Sequence, residues 1–231
     1  FGSSIKAICT PGRCRAQLLT KAMGNVSTLA STCYGGIDEA GWTEKVQDVI
    51  VSELRAKHAA MSNAGNFSFW PFSSNGGDEQ PAQLTDWGLF LGGLAEATNL
   101  PRLQELGVAS FVNMACAVCR YTPRGGVPEH ELEVLEVDAE DSENYPLIDR
   151  HWPTVQKFLL NQRKRERKVL VHCYAGMNRS TTMCVAFLMC YENLMLLEAV
   201  SLCARRRGLV LTNTGFVRQL VRLAHKEGTL G

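Results

Sequence analysis

The residue types and spacing between positions 171 and 180, in the sequence VHCYAGMNRS, could support chemistry on a phosphate group. A largely apolar stretch (168–172) leads into this segment and predicts a buried strand, and the apolar stretch after it predicts a buried helix. Gly176 can take a conformation that other residues avoid. A loop that closes into a helix N-terminus points backbone N–H groups inward, and with the helix dipole they bind a phosphate-sized anion. The residues expected to surround that anion are Tyr174, Ala175, Gly176, Met177, Asn178 and Arg179.

Three side chains of the same segment suit displacement at phosphorus. Cys173 lies at the base of the loop, where the same field favours the thiolate and therefore a nucleophile in line with phosphorus. Arg179 lies six residues further on, and its guanidinium can grip two phosphate oxygens and follow them into the transition state. Ser180 can donate a hydrogen bond to the sulfur and so help it leave later. A buried structural cysteine is the plainer interpretation of Cys173, but the glycine, arginine and serine at these offsets favour catalysis.

The periodicity of the rest of the chain predicts the elements that would position this loop. Strands are predicted over 89–93, 108–114, 131–137 and 168–172, and helices over 95–106, 152–162, 180–194, 197–206 and 214–225. Strands that alternate with helices indicate an α/β domain. Further upstream, Thr43 could cap a helix that runs to residue 60, with Val46, Val49, Ile50 and Leu54 on one face.

The segment 62–82 has the composition of a linker, because it is rich in Ser, Asn and Gly and contains two prolines. We therefore divide the chain into an N-terminal extension (1–82), with one helix and this linker, and a domain (83–231). Four aromatic residues interrupt the linker: Phe67, Phe69, Trp70 and Phe72. We expect them to pack against the neighbouring domain, and a docking segment for a partner is the alternative.

From residue 172 the sequence reads His-Cys-x-x-Gly-x-x-Arg-Ser, which resembles the signature of the cysteine-dependent protein phosphatases. The order of elements around it resembles the dual-specificity branch of that superfamily over residues 83–228. Weaker matches stand in the right order: LFLG from residue 89, LGV from residue 106 and NTGF from residue 213. The resemblance implies a central mixed, mostly parallel sheet flanked by helices. It also implies hydrolysis of phosphotyrosine and phosphoserine/threonine through a phosphocysteine, with no cofactor and with His172 orienting the loop.

The resemblance further implies a general acid, because the leaving hydroxyl of tyrosine, serine or threonine must be protonated. The family places an Asp on a mobile loop that follows a strand, upstream of the cysteine. Asp141 precedes Cys173 by 32 residues, close to the spacing in the family, whereas Asp138 precedes it by 35 and directly follows the predicted strand. We predict Asp141 as the acid and keep Asp138 as the alternative.

The variable positions of the loop carry information on the substrate. None of positions 174, 175, 177 and 178 is basic, whereas members of the superfamily that prefer phosphoinositides usually carry Lys or Arg there. This difference favours a phosphorylated protein as substrate. Asn178 resembles the RNA 5′-triphosphatase relatives instead, so a phosphatase for a non-protein ester (phosphoinositide, RNA 5′-end or phosphoglucan) is the alternative. The basic clusters at 161–168 and 205–207 fit a solvated helix end or the docking of an acidic partner.

Composition and charge bound the remaining classes. The 231 residues include 24 basic and 23 acidic ones, and a net charge of +1 gives no global field for nucleic acid or an acidic membrane. No apolar stretch approaches the roughly 18 residues of a membrane span, and the start FGSS is typical of a trimmed end rather than a signal peptide. Nine cysteines at irregular spacing favour reduced thiols and an intracellular compartment. We expect a cytoplasmic monomer, with the nucleus as the alternative compartment, and no nucleic-acid partner.

Cys116 and Cys119 form a lone CxxC. A structural zinc site needs four ligands and no second CxxC is present, so packing at a strand end is favoured over zinc or a redox pair. The histidines outside the loop, His58, His130, His151 and His225, show no pairing with metal-ligand spacing. We therefore expect no metal site.

Overall fold

A computed structural model describes residues 37–63, 80–119 and 132–231. Residues 1–36 of the proposed extension, the four aromatic residues of the linker and His130 lie outside these ranges. In the described part of the chain, no helix is both long enough and apolar enough to cross a membrane.

A five-stranded mixed sheet organises the described residues. Its strands are β1 (Ala82–Gln83), β2 (Leu89–Gly92), β3 (Val108–Asn113), β4 (Glu133–Glu136) and β5 (Lys168–His172), in the order β1-β2-β5-β3-β4. Only the β1–β2 pair is antiparallel; β2, β5, β3 and β4 pair in parallel. The predicted α/β class and the mostly parallel sheet are therefore confirmed.

The middle strand β5 brings the candidate loop to the edge where three parallel strands end. His172 pairs in register with Gly92 on one side and with Asn113 on the other. Four of the five residues of β5 are buried, as its largely apolar sequence predicts for a central strand. Ligands of parallel sheets bind beyond the carboxyl ends of the strands, and the loop that follows β5 lies there.

Seven helices accompany the sheet in the described ranges. They are α1 (Glu39–Asn63), α2 (Leu94–Thr98), α3 (Leu100–Leu106), α4 (Leu147–Lys164), α5 (Arg179–Tyr191), α6 (Leu196–Arg207) and α7 (Thr214–Glu227). The main hydrophobic cluster includes residues of α1, α4, α5, α6 and α7, whereas a smaller one joins α2 and α3 to Phe90, Phe111 and Leu170 of the strands. Helix α5 is buried over its first eleven residues, in agreement with its sequence, which is apolar on nearly all sides.

Three of the predicted helices differ from the observed ones. Helix α4 begins at Leu147 rather than at residue 152, directly after Pro146. Local hydrogen bonds explain the other two. The predicted helix 95–106 is divided at Asn99, whose side chain accepts from the backbone N–H of Arg102 and so begins a new helix with Pro101 near its start. Helix α1 begins at Glu39 rather than after Thr43. The Asp38 carboxylate accepts from the N–H of Gly41, and the Thr43 hydroxyl instead donates to a backbone carbonyl one turn earlier.

Helix α1 belongs to the main hydrophobic cluster. Trp42, Val46 and Ile50 are buried in it, and the helix packs against α6 and α7. The division of the chain between residues 82 and 83 stays a prediction. That boundary falls within β1, and the helix of the proposed extension packs on the proposed domain.

Candidate active site

The loop between β5 and α5 is shaped by a backbone contact with the end of β2. Gly176 has a φ of +71°, and a Cβ there would lie 2.6 Å from the carbonyl carbon and oxygen of Gly92. A Cβ on Gly93 would in turn lie 2.9 Å from the carbonyl oxygen of Tyr174. Because real Cβ atoms essentially never approach closer than 3.0 Å, glycine is required at both Gly93 and Gly176.

Cys173 lies at the base of this loop with two hydrogen-bond donors on its sulfur. The backbone N–H of Gly176 lies 3.3 Å from Sγ, and the Ser180 hydroxyl lies 3.2 Å from it. The cysteine is buried, and the loop leads directly into the N-terminus of α5. The sulfur therefore lies beside two hydrogen-bond donors, at the loop that leads into the positive end of the helix dipole.

The Arg179 guanidinium lies between the loop and the segment that follows β4. Its Nη1 donates to the carbonyl of Ala139 at 3.0 Å, and its Nε lies 3.5 Å from Oδ2 of Asp141. Nε is buried and has no hydrogen-bond partner among the described residues. A buried guanidinium donor of this kind suits an oxyanion such as phosphate.

The structure brings the Asp141 carboxylate to the loop. The Asp141 carboxylate accepts hydrogen bonds from the side-chain amides of Asn178, at 3.2 and 3.3 Å, and Asn213, at 2.9 Å. Asp138 forms an isolated β-bridge with Ala115. Burial and then the negative charge of Asp138 raise the pKa of the Cys116 thiol.

The N-terminus of α7 holds the segment that carries Asp141. The Thr214 hydroxyl donates to the Glu143 carboxylate at 3.0 Å, and the Gln219 amide donates to the carbonyl of Tyr145 at 2.8 Å. Gly215 lies so close to this segment that a Cβ on it would be 1.9 Å from the carbonyl oxygen of Glu143. The sequence shows only that the segment NTGF, from residue 213, resembles a segment of the phosphatase family. It does not indicate that α7 contacts the segment that carries Asp141.

Behind the loop, an ion pair between Glu96 and Arg207 joins α2 to α6. Glu96 is buried and also accepts from the N–H of Gly93 at 2.8 Å, while Arg207 donates to the carbonyl of Ala175 at 3.2 Å. The N–H of Leu94 adds a further bond to the loop, 2.9 Å from the carbonyl of Tyr174. Sequence reasoning missed this pair, because its members lie 111 residues apart.

His172 is buried at the end of β5. Burial lowers its pKa to about 4, and its Nδ1 lies 3.4 Å from the carbonyl of Cys173. The ring is therefore neutral at physiological pH. This placement fits a residue that supports the loop and not a proton carrier.

Cys116 and Cys119 are both free thiols at the end of β3. The Asn113 side chain donates to the carbonyl of Cys119 at 2.9 Å, so this turn packs on the strand it follows. Within residues 37–63, 80–119 and 132–231, no group of three or more His, Cys, Asp or Glu side chains could hold a metal ion.

A cysteine at the base of an anion-binding loop, with an arginine and a carboxyl group beside it, defines the class of cysteine-dependent phosphatases. The comparison with known families agrees with this class. Residues 89–226, more than half of the chain, match the model of the dual specificity phosphatase catalytic domain. The chain belongs to the dual specificity phosphatase family and is a cysteine-dependent protein phosphatase.

Individual relatives are similar over the same region. The chain is 36% identical over 140 residues to mouse dual specificity protein phosphatase 14, an alignment that covers 61% of this chain and 67% of that protein. It is 35% identical over 139 residues to human dual specificity protein phosphatase 26, covering 59% of this chain and 64% of that protein. The chain therefore spans about two thirds of the length of these relatives.

Solved structures show the same fold. The crystal structure of human DUSP28 matches with a TM-score of 0.55 at 25% identity, covering 65% of this chain and 99% of that one. The human tyrosine phosphatase-like serine/threonine/tyrosine-interacting protein matches with a TM-score of 0.55 at 26% identity, covering 63% and 95%.

Proposed function

We propose that Cys173, Arg179, Asp141 and Ser180 carry out the phosphatase reaction. In the first step the Cys173 thiolate forms a bond to phosphorus, the bond to the leaving oxygen breaks, and Asp141 gives its proton to that oxygen. The phosphate stays on sulfur, held by the Arg179 guanidinium and by the backbone N–H groups of the loop.

In the second step water replaces sulfur on phosphorus. Asp141, now a carboxylate, takes a proton from the water as its oxygen bonds to phosphorus. The sulfur–phosphorus bond breaks, and the Ser180 hydroxyl stabilises the returning thiolate. The observation that carries this proposal is the pair of donors on Cys173 Sγ, at 3.2 and 3.3 Å, with Asp141 beside Arg179 on the other side of the loop.

Two substitutions test the roles of the cysteine and the acid. Cys173→Ser should abolish hydrolysis of p-nitrophenyl phosphate while a phosphopeptide still binds; activity that survives contradicts the proposal. Asp141→Asn should slow phenyl phosphate, a poor leaving group, by about 10²-fold or more, and p-nitrophenyl phosphate much less. Asp138→Asn is the matched control, and a larger loss there would transfer the role of acid to Asp138.

The proposed substrate is a phosphorylated protein, and the proposed location is the cytoplasm, or the nucleus as the alternative, with the protein as a monomer. A non-protein ester is disfavoured by the neutral loop positions. An asparagine at position 178 is the feature that resembles the RNA 5′-triphosphatases. Asn178 is only 9% exposed and its side chain is hydrogen-bonded to other protein groups, so it offers little to a substrate. A panel of a phosphopeptide, a phosphoinositide, a 5′-triphosphorylated RNA and a phosphoglucan tests this choice. Faster hydrolysis of any of the last three would overturn it.

A further inference from the structure

The Asn178 side chain bridges the phosphate loop and the proposed acid. Its amide nitrogen donates to both oxygens of Asp141, at 3.2 and 3.3 Å, and its amide oxygen accepts from two groups of the segment before α7. We propose that Asn178 is a positioning residue that holds the Asp141 carboxyl over the phosphate loop. This inference rests on the proposed role of Asp141 as general acid.

The direction of this contact is fixed by the neighbouring backbone. The backbone N–H of Asn213 lies 3.1 Å from Oδ1 of Asn178, and an N–H can only donate. The amide oxygen must therefore face Asn213, which turns the NH₂ group toward Asp141. The hydroxyl of Thr212, 3.1 Å from the same oxygen, holds the same orientation.

Asp141 needs such a contact because it lies in a segment without regular secondary structure. Residues 139–146 contain no helix or strand, and the Asp141 side chain is 31% exposed. A proton donor must lie within hydrogen-bond reach of the leaving oxygen, and a displacement of about 1 Å can cost about 10²-fold in rate. A contact that fixes the carboxyl over the loop therefore bears directly on proton transfer.

The contact between Asn178 and Asp141 can persist through the catalytic cycle, whereas the ion pair between Arg179 and Asp141 cannot. Once a phosphate occupies the loop, the Arg179 donors are expected to turn to the phosphate oxygens. An amide N–H can donate to a carboxylate and equally to the carbonyl oxygen of a protonated carboxyl. Asn178 can thus hold Asp141 both before and after the proton is given up, together with the second amide donor, Asn213.

The test compares two substrates that differ only in the leaving group. Phenyl phosphate needs the acid and p-nitrophenyl phosphate needs it far less, so the ratio of their kcat/KM values reports on proton donation. A change in phosphate affinity cancels in this ratio, because both substrates present the same phosphate group. Asn178→Ala should lower kcat/KM for phenyl phosphate, relative to kcat/KM for p-nitrophenyl phosphate, by about tenfold. Asn161→Ala, at an exposed position of α4, is the matched control and should leave the ratio unchanged.

Asn178→Asp is the second variant. It keeps an oxygen that accepts from Asn213 and Thr212, but it removes the donor and places a second carboxylate beside Asp141. The ratio should shift in the same direction as in the alanine variant. If neither variant shifts the ratio while both keep a cooperative thermal unfolding curve, the inference is overturned. Loss of the fold in both variants would show a structural role and overturn it as well.

The Asp141→Asn variant separates the two levels of the proposal. If it leaves the ratio unchanged, the proposed acid is wrong. If it shifts the ratio and the Asn178 variants do not, the acid stands and the positioning role fails. In the double variant Asp141→Asn/Asn178→Ala the ratio should equal that of Asp141→Asn alone, because Asn178 acts through Asp141. A further shift would contradict the inference.

Discussion

At Gly215, a single added methyl group should displace the segment that carries Asp141. A Cβ at this position would lie 1.9 Å from the carbonyl oxygen of Glu143 and 2.6 Å from its carbonyl carbon and Cα. Ordinary contact begins at 3.4 Å, so the backbone of Glu143 must move by roughly 1.5 Å in Gly215→Ala. Glu143 lies two residues after Asp141, so the carboxyl should move with it.

The expected result is a loss that depends on the leaving group. We expect kcat/KM for phenyl phosphate to fall by about tenfold to hundredfold, and that for p-nitrophenyl phosphate to fall much less. Overpacking should also lower the free energy of unfolding by about 1–3 kcal/mol. Without the clash, Gly→Ala in a helix would raise that free energy by up to about 1 kcal/mol, so the sign of the change is itself informative.

Gly41→Ala is the matched control near the start of α1. Its Cβ would meet Cγ2 of Ile37 at 2.8 Å and Oδ1 of Asp38 at 3.5 Å, and the Ile37 side chain is 38% exposed and free to turn away. Urea unfolding and steady-state kinetics on both substrates should show no loss in this control. A Gly215→Ala protein that is as stable as the unsubstituted one, with an unchanged ratio of the two kcat/KM values, would refute the reasoning.

Three further predictions concern stability and can be checked by urea unfolding. Burial lowers the pKa of His172 from 6.5 to about 4 in the folded protein. Between these two pH values the unfolded chain binds a proton that the folded protein does not, so the free energy of unfolding falls as the pH falls from 6.5 toward 4. The free energy of unfolding should drop by about 2 kcal/mol between pH 7 and pH 5 from this group, and His172→Gln should remove that part of the drop. Glu96→Gln should cost about 2 kcal/mol because it breaks the buried pair with Arg207, whereas Glu105→Gln, in an exposed pair, should cost less than about 0.5 kcal/mol. Trp42→Ala should cost about 3 kcal/mol, because α1 belongs to the main core, yet it should leave the ratio of the two kcat/KM values unchanged.

The strand, loop and helix around Cys173 could be predicted from the sequence because their determinants are local. These determinants are two apolar stretches and, between them, a glycine with a positive φ, and all of them lie within residues 168–191. The sequence predicts β2, β3, β4 and β5 for the same reason. Strand β1 has only two residues, which is too short for a periodic pattern.

Spacing alone left Asp141 and Asp138 as alternatives, because a count of residues does not give the path of the chain. After β4 the chain forms an isolated antiparallel bridge, between Asp138 and Ala115, with the segment that follows β3, and the Tyr145 hydroxyl donates to the Asp138 carbonyl at 3.2 Å. Only beyond this point does the segment reach the loop. The partners of Asp141 lie 37 and 72 residues away, at Asn178 and Asn213, and nothing in a single sequence shows such distant pairing.

The backbone contact between Gly93 and Gly176 has a consequence for how this protein can vary. Where two side chains meet, a larger residue on one side can be offset by a smaller one on the other. Here both residues already lack a side chain, so no second-site change at the contact can accommodate a substitution at either position. The side chains of Tyr174 and Ala175 are exposed and free of this restriction, so they can vary while the main-chain shape of the loop stays constant.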